Sequence, residues 1–163
     1  MKFIIALFTN PGIMIPLAAW FVAQLFKLFT NYFVNREFKL ERLFGDGGMP
    51  SGHSATVMSL ASLCAWCYGF GSMYFALAGV LAIIVMHDAV GVRREAGKHA
   101  TEIKRIIELM NGMFKGETEQ IRTQKLKELI GHTPLQVTLG AILGACVAAI
   151  YMIIAKIPYM GLI

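Results

Sequence analysis

The chain has 163 residues, of which 56% are hydrophobic and 15% charged, against about 25% charged in soluble domains, and its mean hydropathy is +0.60. These figures exclude a soluble enzyme and a disordered chain, and the length is that of one domain. The formal net charge of +5 is read as the usual excess of Lys and Arg in cytoplasmic loops of membrane proteins, so no nucleic-acid partner is expected.

Three uncharged runs set the class: residues 3–26, 54–86 and 133–155. A helix needs about 20 apolar residues to cross a bilayer, so the expectation is an all-α, polytopic membrane helical bundle. The first run is interrupted at Asn10-Pro11-Gly12 and resumes through Trp20. It reads as a retained first membrane segment over 11–29, not a signal peptide, with Lys27 snorkelling to the interface. Residues 30–50 form a polar connection. The run over 54–86 is too long for one helix, since at 1.5 Å per residue it reaches about 50 Å. Gly69-Phe70-Gly71-Ser72 is a turn signal near its middle, which predicts spans over 52–69 and 72–89.

Residues 91–131 change character. Ile103, Ile106, Ile107, Met110, Met113 and Phe114 recur at three- and four-residue spacings between Glu102, Lys104, Arg105 and Glu108. This predicts an amphipathic helix, broken near Asn111-Gly112 or Lys115-Gly116, then a shorter helix with Ile121, Leu126, Leu129 and Ile130. The segment is either a polar helical hairpin capping the bundle or a helix lying in the interface. The last span, 133–155, carries Gly140-x-x-x-Gly144, a spacing that lets helices approach closely and is expected to serve a homo-oligomer. The whole chain, 1–163, is one membrane domain of about four spans with a helical insertion over 91–131.

Four spans put the 30–50 and 91–131 segments on one side. They and Lys27 carry 13 of the 15 Lys and Arg residues, leaving Lys2 and Lys156 for the other face. The positive-inside bias makes the 13-residue side cytoplasmic and leaves both termini outside an inner (cell) membrane. Cys64, Cys67 and Cys146 all lie in apolar runs and read as helix packing, with no metal site and no disulfide framework implied.

Three polar clusters lie at span ends on the cytoplasmic side. Gly47-Gly48-Met49-Pro50-Ser51-Gly52-His53-Ser54 opens one span, and the free amides of such a helix start attract phosphate. His87-Asp88-Ala89-Val90-Gly91-Val92-Arg93-Arg94 closes another. An acid at a span end is costly unless paired or used, and arginine forks fit phosphate oxygens. Gly131-His132-Thr133-Pro134-Leu135-Gln136 opens the last, where Thr133 or His132 serves as a cap and Pro134 fits the first turn. Each cluster alone has a plain structural reading as a cap or an anchor. Together, two histidines, several cations and an anion nest suit phosphoryl transfer through histidine.

On these residues the chain resembles a known family. Pro50-Ser51-Gly52-His53 is similar to the second signature of type-2 phosphatidic acid phosphatases and vanadium haloperoxidases. Gln24-x-x-Lys27, Gly47 to Ser54, Asp88-Ala89-Val90-Gly91-Val92-Arg93-Arg94 and Gly131 to Val137 resemble the divergent membrane branch of that superfamily, over about residues 20–145. The resemblance implies His53 as general acid, Ser51 and Gly52 as donors to phosphate, and Arg93 or Arg94 as the phosphate-binding arginine. Lys27, and more loosely Arg36, stand for the cations of the first signature. His132 matches the nucleophile, with Gln136 where the family has the aspartate that orients it. His99 has the literal Arg-x5-His spacing from Arg93 but is followed four residues on by Ile103, so His132 is preferred. A neutral amide offsets little imidazolium charge, and Asp88 is the expected substitute carboxylate.

The resemblance thus implies a metal- and cofactor-independent histidine phosphatase acting on a lipid or prenyl phosphate from the bilayer, its site facing the cytoplasm. The alternative is a non-catalytic phospholipid-binding or scaffold protein that keeps the fold, which Gln136 and the missing Lys-x6-Arg-Pro string favour.

Overall fold

The computed structural model describes residues 2–36, 48–113, 132–157 and 159. Every described regular element is an α-helix: α1 (Lys2–Thr9), α2 (Pro11–Asn35), α3 (Gly52–Tyr68), α4 (Met73–Val90), α5 (Val92–Met113) and α6 (Pro134–Ile154). Most of the 30–50 connection and the expected second short helix after α5 lie outside the described residues.

Local chemistry sets the helix ends. Asn10 separates α1 from α2: its side chain accepts from Gly12 N–H at 2.9 Å, and Pro11 takes the first helical position, where its missing N–H costs nothing. α2 runs beyond the expected 29 to Asn35 and stops where Arg36 turns left-handed at φ 52°. Asn31, Tyr32 and Asn35 end the apolar pattern there without breaking the helix. α3 ends at Gly69, whose φ of +79° suits glycine, and Ser72 caps α4 by accepting from Phe75 N–H at 3.1 Å. The expected turn at 69–72 is therefore present. α5 covers the amphipathic stretch read from the sequence.

α3 is the central helix. It packs most extensively on α6, then on α4 and α2, whereas α5 packs only on α4 among the described residues. α2 approaches closely through Ala19 and Ala23, fully buried against Ala55 with Leu143 and Val147 alongside. α6 approaches through its glycines. A Cβ on Gly140 would collide with the Ser51 carbonyl, and one on Gly144 with the Ala55 backbone. The close contact that Gly140-x-x-x-Gly144 permits is made here within the chain, on α3.

Among the described residues, three helices are long and apolar enough to cross a membrane, over Pro11–Phe33, Met73–Met110 and Pro134–Ile154. The middle run takes in α4 and most of α5. α3, 17 residues long and carrying Ser54, Thr56, Ser59 and Ser62, falls outside this group, so three of the four expected spans qualify by length and composition. The outward faces are apolar: Phe21, Phe29, Leu77, Ile83, Ile142 and Ile150 are all exposed. Water would penalise such a surface, whereas hydrocarbon suits it because helices satisfy their own backbone groups. The molecule is an all-helical membrane protein.

Candidate functional site

The starts of α3 and α6 and the end of α4 meet through backbone bonds. Ser51 N–H donates to the Gln136 carbonyl at 3.0 Å, and His132 N–H donates to the Ala89 carbonyl at 3.1 Å. Residues far apart in sequence thus converge at one end of the bundle. The bond at Ser51 also limits its role. Its N–H is committed to Gln136, whereas its hydroxyl, which accepts from Ser54 N–H at 3.4 Å, keeps its own proton to donate, so the expected donors to phosphate become the Ser51 hydroxyl and the first-turn amide of Gly52.

α2 supplies the wall. Trp20, Gln24 and Lys27, spaced by four and three residues, share a helix face. Gln24 and Lys27 are buried, at 5% and 4% exposure. A Cβ built on Gly52 would lie 3.3 Å from Trp20 Cδ1, 3.6 Å from its Nε1 and 3.8 Å from Lys27 Nζ. Glycine is what fits between the indole, the ammonium and the helix start. The Lys27 charge adds to the positive end of the α3 dipole instead of opposing it, a combination that attracts an anion. Thr30 pins the entering segment by donating to the Met49 carbonyl at 2.8 Å, and Gly48, at φ +102°, passes over the Lys27 stem. Met49–Pro50 is a cis peptide.

His132 is buried at 3% exposure. Its Nδ1 lies 3.2 Å from Gln136 Oε1, the atom that also accepts from Thr133 N–H at 3.1 Å. Thr133 returns the contact by capping Gln136 N–H at 3.4 Å, so Thr133 and Gln136 form a capping box. This geometry fixes the tautomer. A backbone N–H only donates, so the Gln136 atom facing it is the carbonyl oxygen; His132 Nδ1 faces the same oxygen and must donate too. In the neutral ring the proton is therefore on Nδ1 and the lone pair on Nε2, which is buried. The His53 ring lies 6.1 Å from the His132 ring, centroid to centroid, inclined by 60°.

The remaining sequence candidates are distributed unevenly. Asp88 is half-buried in the last turn of α4, one residue before the Ala89–His132 bond. Arg93 and Arg94 open α5 just beyond it, and their side chains lie outside what the structure describes. His99 is exposed along α5, and Arg36 is exposed at the end of α2, nine residues or about 13 Å of helix beyond Lys27. Two residues absent from the sequence-derived site belong beside it: Trp20, whose indole borders Gly52, and Gln24, whose buried Oε1 has no hydrogen-bond partner. The i, i+4, i+7 spacing from Trp20 to Lys27 is the signal that finds both. No group of three or more His, Cys, Asp or Glu suited to a metal ion occurs among the described residues.

The arrangement joins a lone-pair nitrogen, a second imidazole, a buried ammonium and a helix N-terminus at one membrane end. The Divergent PAP2 family profile matches residues 8–147 of the chain. An "Uncharacterized membrane protein YuiD" from Bacillus subtilis (strain 168) is 38% identical over 144 residues, covering 85% of this chain and 91% of the relative. No solved structure is significantly similar.

Proposed function

We propose, since the chain belongs to the Divergent PAP2 family, that it is a membrane phosphatase hydrolysing a lipid or prenyl phosphate through a phosphohistidine on His132. The observation that carries this reading is the pair of contacts to Gln136 Oε1, which leave the His132 lone pair on Nε2. In the first half-reaction that lone pair forms the N–P bond as the bond from phosphorus to the leaving oxygen breaks, and His53 gives the leaving oxygen its proton. In the second, His53 takes a proton from water, the water oxygen bonds to phosphorus, and the N–P electron pair returns to Nε2. Lys27, Arg93, Arg94, the Ser51 hydroxyl and the first-turn amide of Gly52 offset charge on the equatorial oxygens. Gln136 orients the imidazole, and Asp88 supplies the carboxylate that an amide does not.

The site faces the cytoplasm in this proposal, because the four-span reading assigns 13 of the 15 Lys and Arg residues to its side. That orientation favours a phosphate made at the inner leaflet, such as phosphatidylglycerol phosphate or phosphatidic acid, over an externally recycled polyprenyl diphosphate.

A second reading, a phospholipid-binding scaffold, is favoured by Gln136 itself: a neutral residue engaged in a helix cap leaves a developing imidazolium poorly compensated. The two readings separate in detergent solution. Phosphate release from a panel of lipid phosphates, inhibited by orthovanadate as a mimic of pentacoordinate phosphorus, is expected of the phosphatase. Binding of the same lipids with no release from any of them identifies the scaffold.

A further inference from the structure

α5 carries an apolar stripe that the bundle does not cover. Val92, Ala96, His99, Ile103, Ile106 and Met110 follow one another at three- and four-residue steps and so share one face. Ile103, Ile106 and Met110 are 48%, 54% and 39% exposed. Among the described residues α5 packs on no helix but α4. The far side of the helix carries Thr101, Lys104, Arg105 and Glu108, with Lys98 bound to Glu95 at 2.6 Å.

We propose that this stripe is a membrane-surface anchor, with the helix lying in the headgroup layer of the leaflet that α4 exits. Position selects the occupant. α4 has 18 residues and is about 27 Å long, close to the roughly 30 Å of a hydrocarbon core, so its last turn reaches the membrane surface. The backbone bonds of His132 to Ala89 and of Ser51 to Gln136 bring the starts of α6 and α3 to that same level. α5 therefore begins at the headgroups. Gly91, at φ −89° and ψ −90°, departs from helical values and separates α4 from α5 there. The nearest apolar medium for the stripe is the acyl boundary beside it.

Charge points the same way. α5 contains Arg93, Arg94, Lys98, Lys104 and Arg105 against Glu95, Glu102 and Glu108, a surplus that complements an anionic leaflet. The placement also gives His99 a place in the fold: an imidazole on the interfacial stripe, at a depth where a half-polar ring is tolerated. The inference does not depend on catalysis and holds for a scaffold as well.

The test is site-directed spin labelling of the full chain, in a background lacking Cys64, Cys67 and Cys146, in nanodiscs containing phosphatidylglycerol. Single nitroxides at 103, 106 and 110 are compared with 101, 104 and 108 for collision with oxygen and with a water-soluble nickel chelate. The proposal expects oxygen contact to peak at 103, 106 and 110 and nickel contact to peak at 101, 104 and 108, with helical periodicity. High nickel contact on the stripe places it in water. Low contact with both reagents places it under protein. Dipolar broadening from singly labelled chains places it against a second copy. Each of these three results overturns the anchor.

Discussion

His132 Nδ1 and Gln136 Oε1 stand 3.2 Å apart across the first turn of α6, and the same oxygen accepts the Thr133 N–H at 3.1 Å. One amide oxygen therefore caps a helix and sets the protonation pattern of the buried histidine. The two tasks have different consequences when the residue is changed.

Gln136→Glu keeps both acceptor contacts and adds the negative charge that favours imidazolium, so kcat/KM is expected to rise by about 1–2 kcal/mol in barrier terms, roughly five- to thirty-fold. Gln136→Ala loses the box partner of Thr133 and is expected to lower thermal stability by about 1 kcal/mol together with turnover. If Asp88 is the substitute carboxylate, Asp88→Asn costs less in the Gln136→Glu background than in the native chain. Strictly additive effects in that double-mutant cycle would remove Asp88 from the role.

His132→Ala is expected to abolish a trapped phosphoenzyme and to lower turnover by on the order of 10⁶-fold, the scale on which removal of a covalent nucleophile acts. His99→Ala is expected to leave the trapped species intact, as befits an exposed position on α5. Acid-quenched radiolabel on the protein is the readout. Label retained in His132→Ala moves the nucleophile elsewhere.

Gly140→Ala drives a methyl into the Ser51 carbonyl and to within 3.0 Å of Ser54 Cβ, so it is expected to cost about 1–3 kcal/mol as overpacking and to disturb the start of α3. Gly79→Ala, which meets nothing within 4 Å, is the control and should leave the melting temperature in detergent unchanged or slightly higher. Similar losses from both would argue against the glycine contact as the seam between α3 and α6.

Orientation is tested with single cysteines at 112 and 161 in a background free of native cysteines. Treatment of intact cells with a membrane-impermeant thiol reagent is expected to label position 161 and spare 112. The reverse pattern overturns the cytoplasmic site and the inner-leaflet substrate with it.

Much of this architecture was legible in the residues. The period of Ile103, Ile106 and Met110 marks α5, the Gly69–Ser72 turn divides α3 from α4, and Thr133-Pro134 marks the start of α6 because caps and first-turn prolines act locally. Contacts across the bundle were not legible in the same way. Gly140-x-x-x-Gly144 announces a close neighbour without naming it, and the neighbour is α3. Trp20 looks like any interfacial aromatic until Gly52 is brought against it. Gln136 reads as a defective aspartate until its oxygen is seen to face two donors.

The bonds from Ser51 N–H to the Gln136 carbonyl and from His132 N–H to the Ala89 carbonyl involve only main-chain atoms. These bonds themselves use no side-chain atom of residues 51, 89, 132 or 136, so an isosteric exchange at 136 leaves the clasp in place. Exchange of an acid for an amide at 136 therefore changes the charge beside His132 without moving its backbone. Such a frame lets a lineage tune reactivity up or down, or lose it, while the architecture persists, and it makes side-chain variants here reporters of reactivity more than of folding.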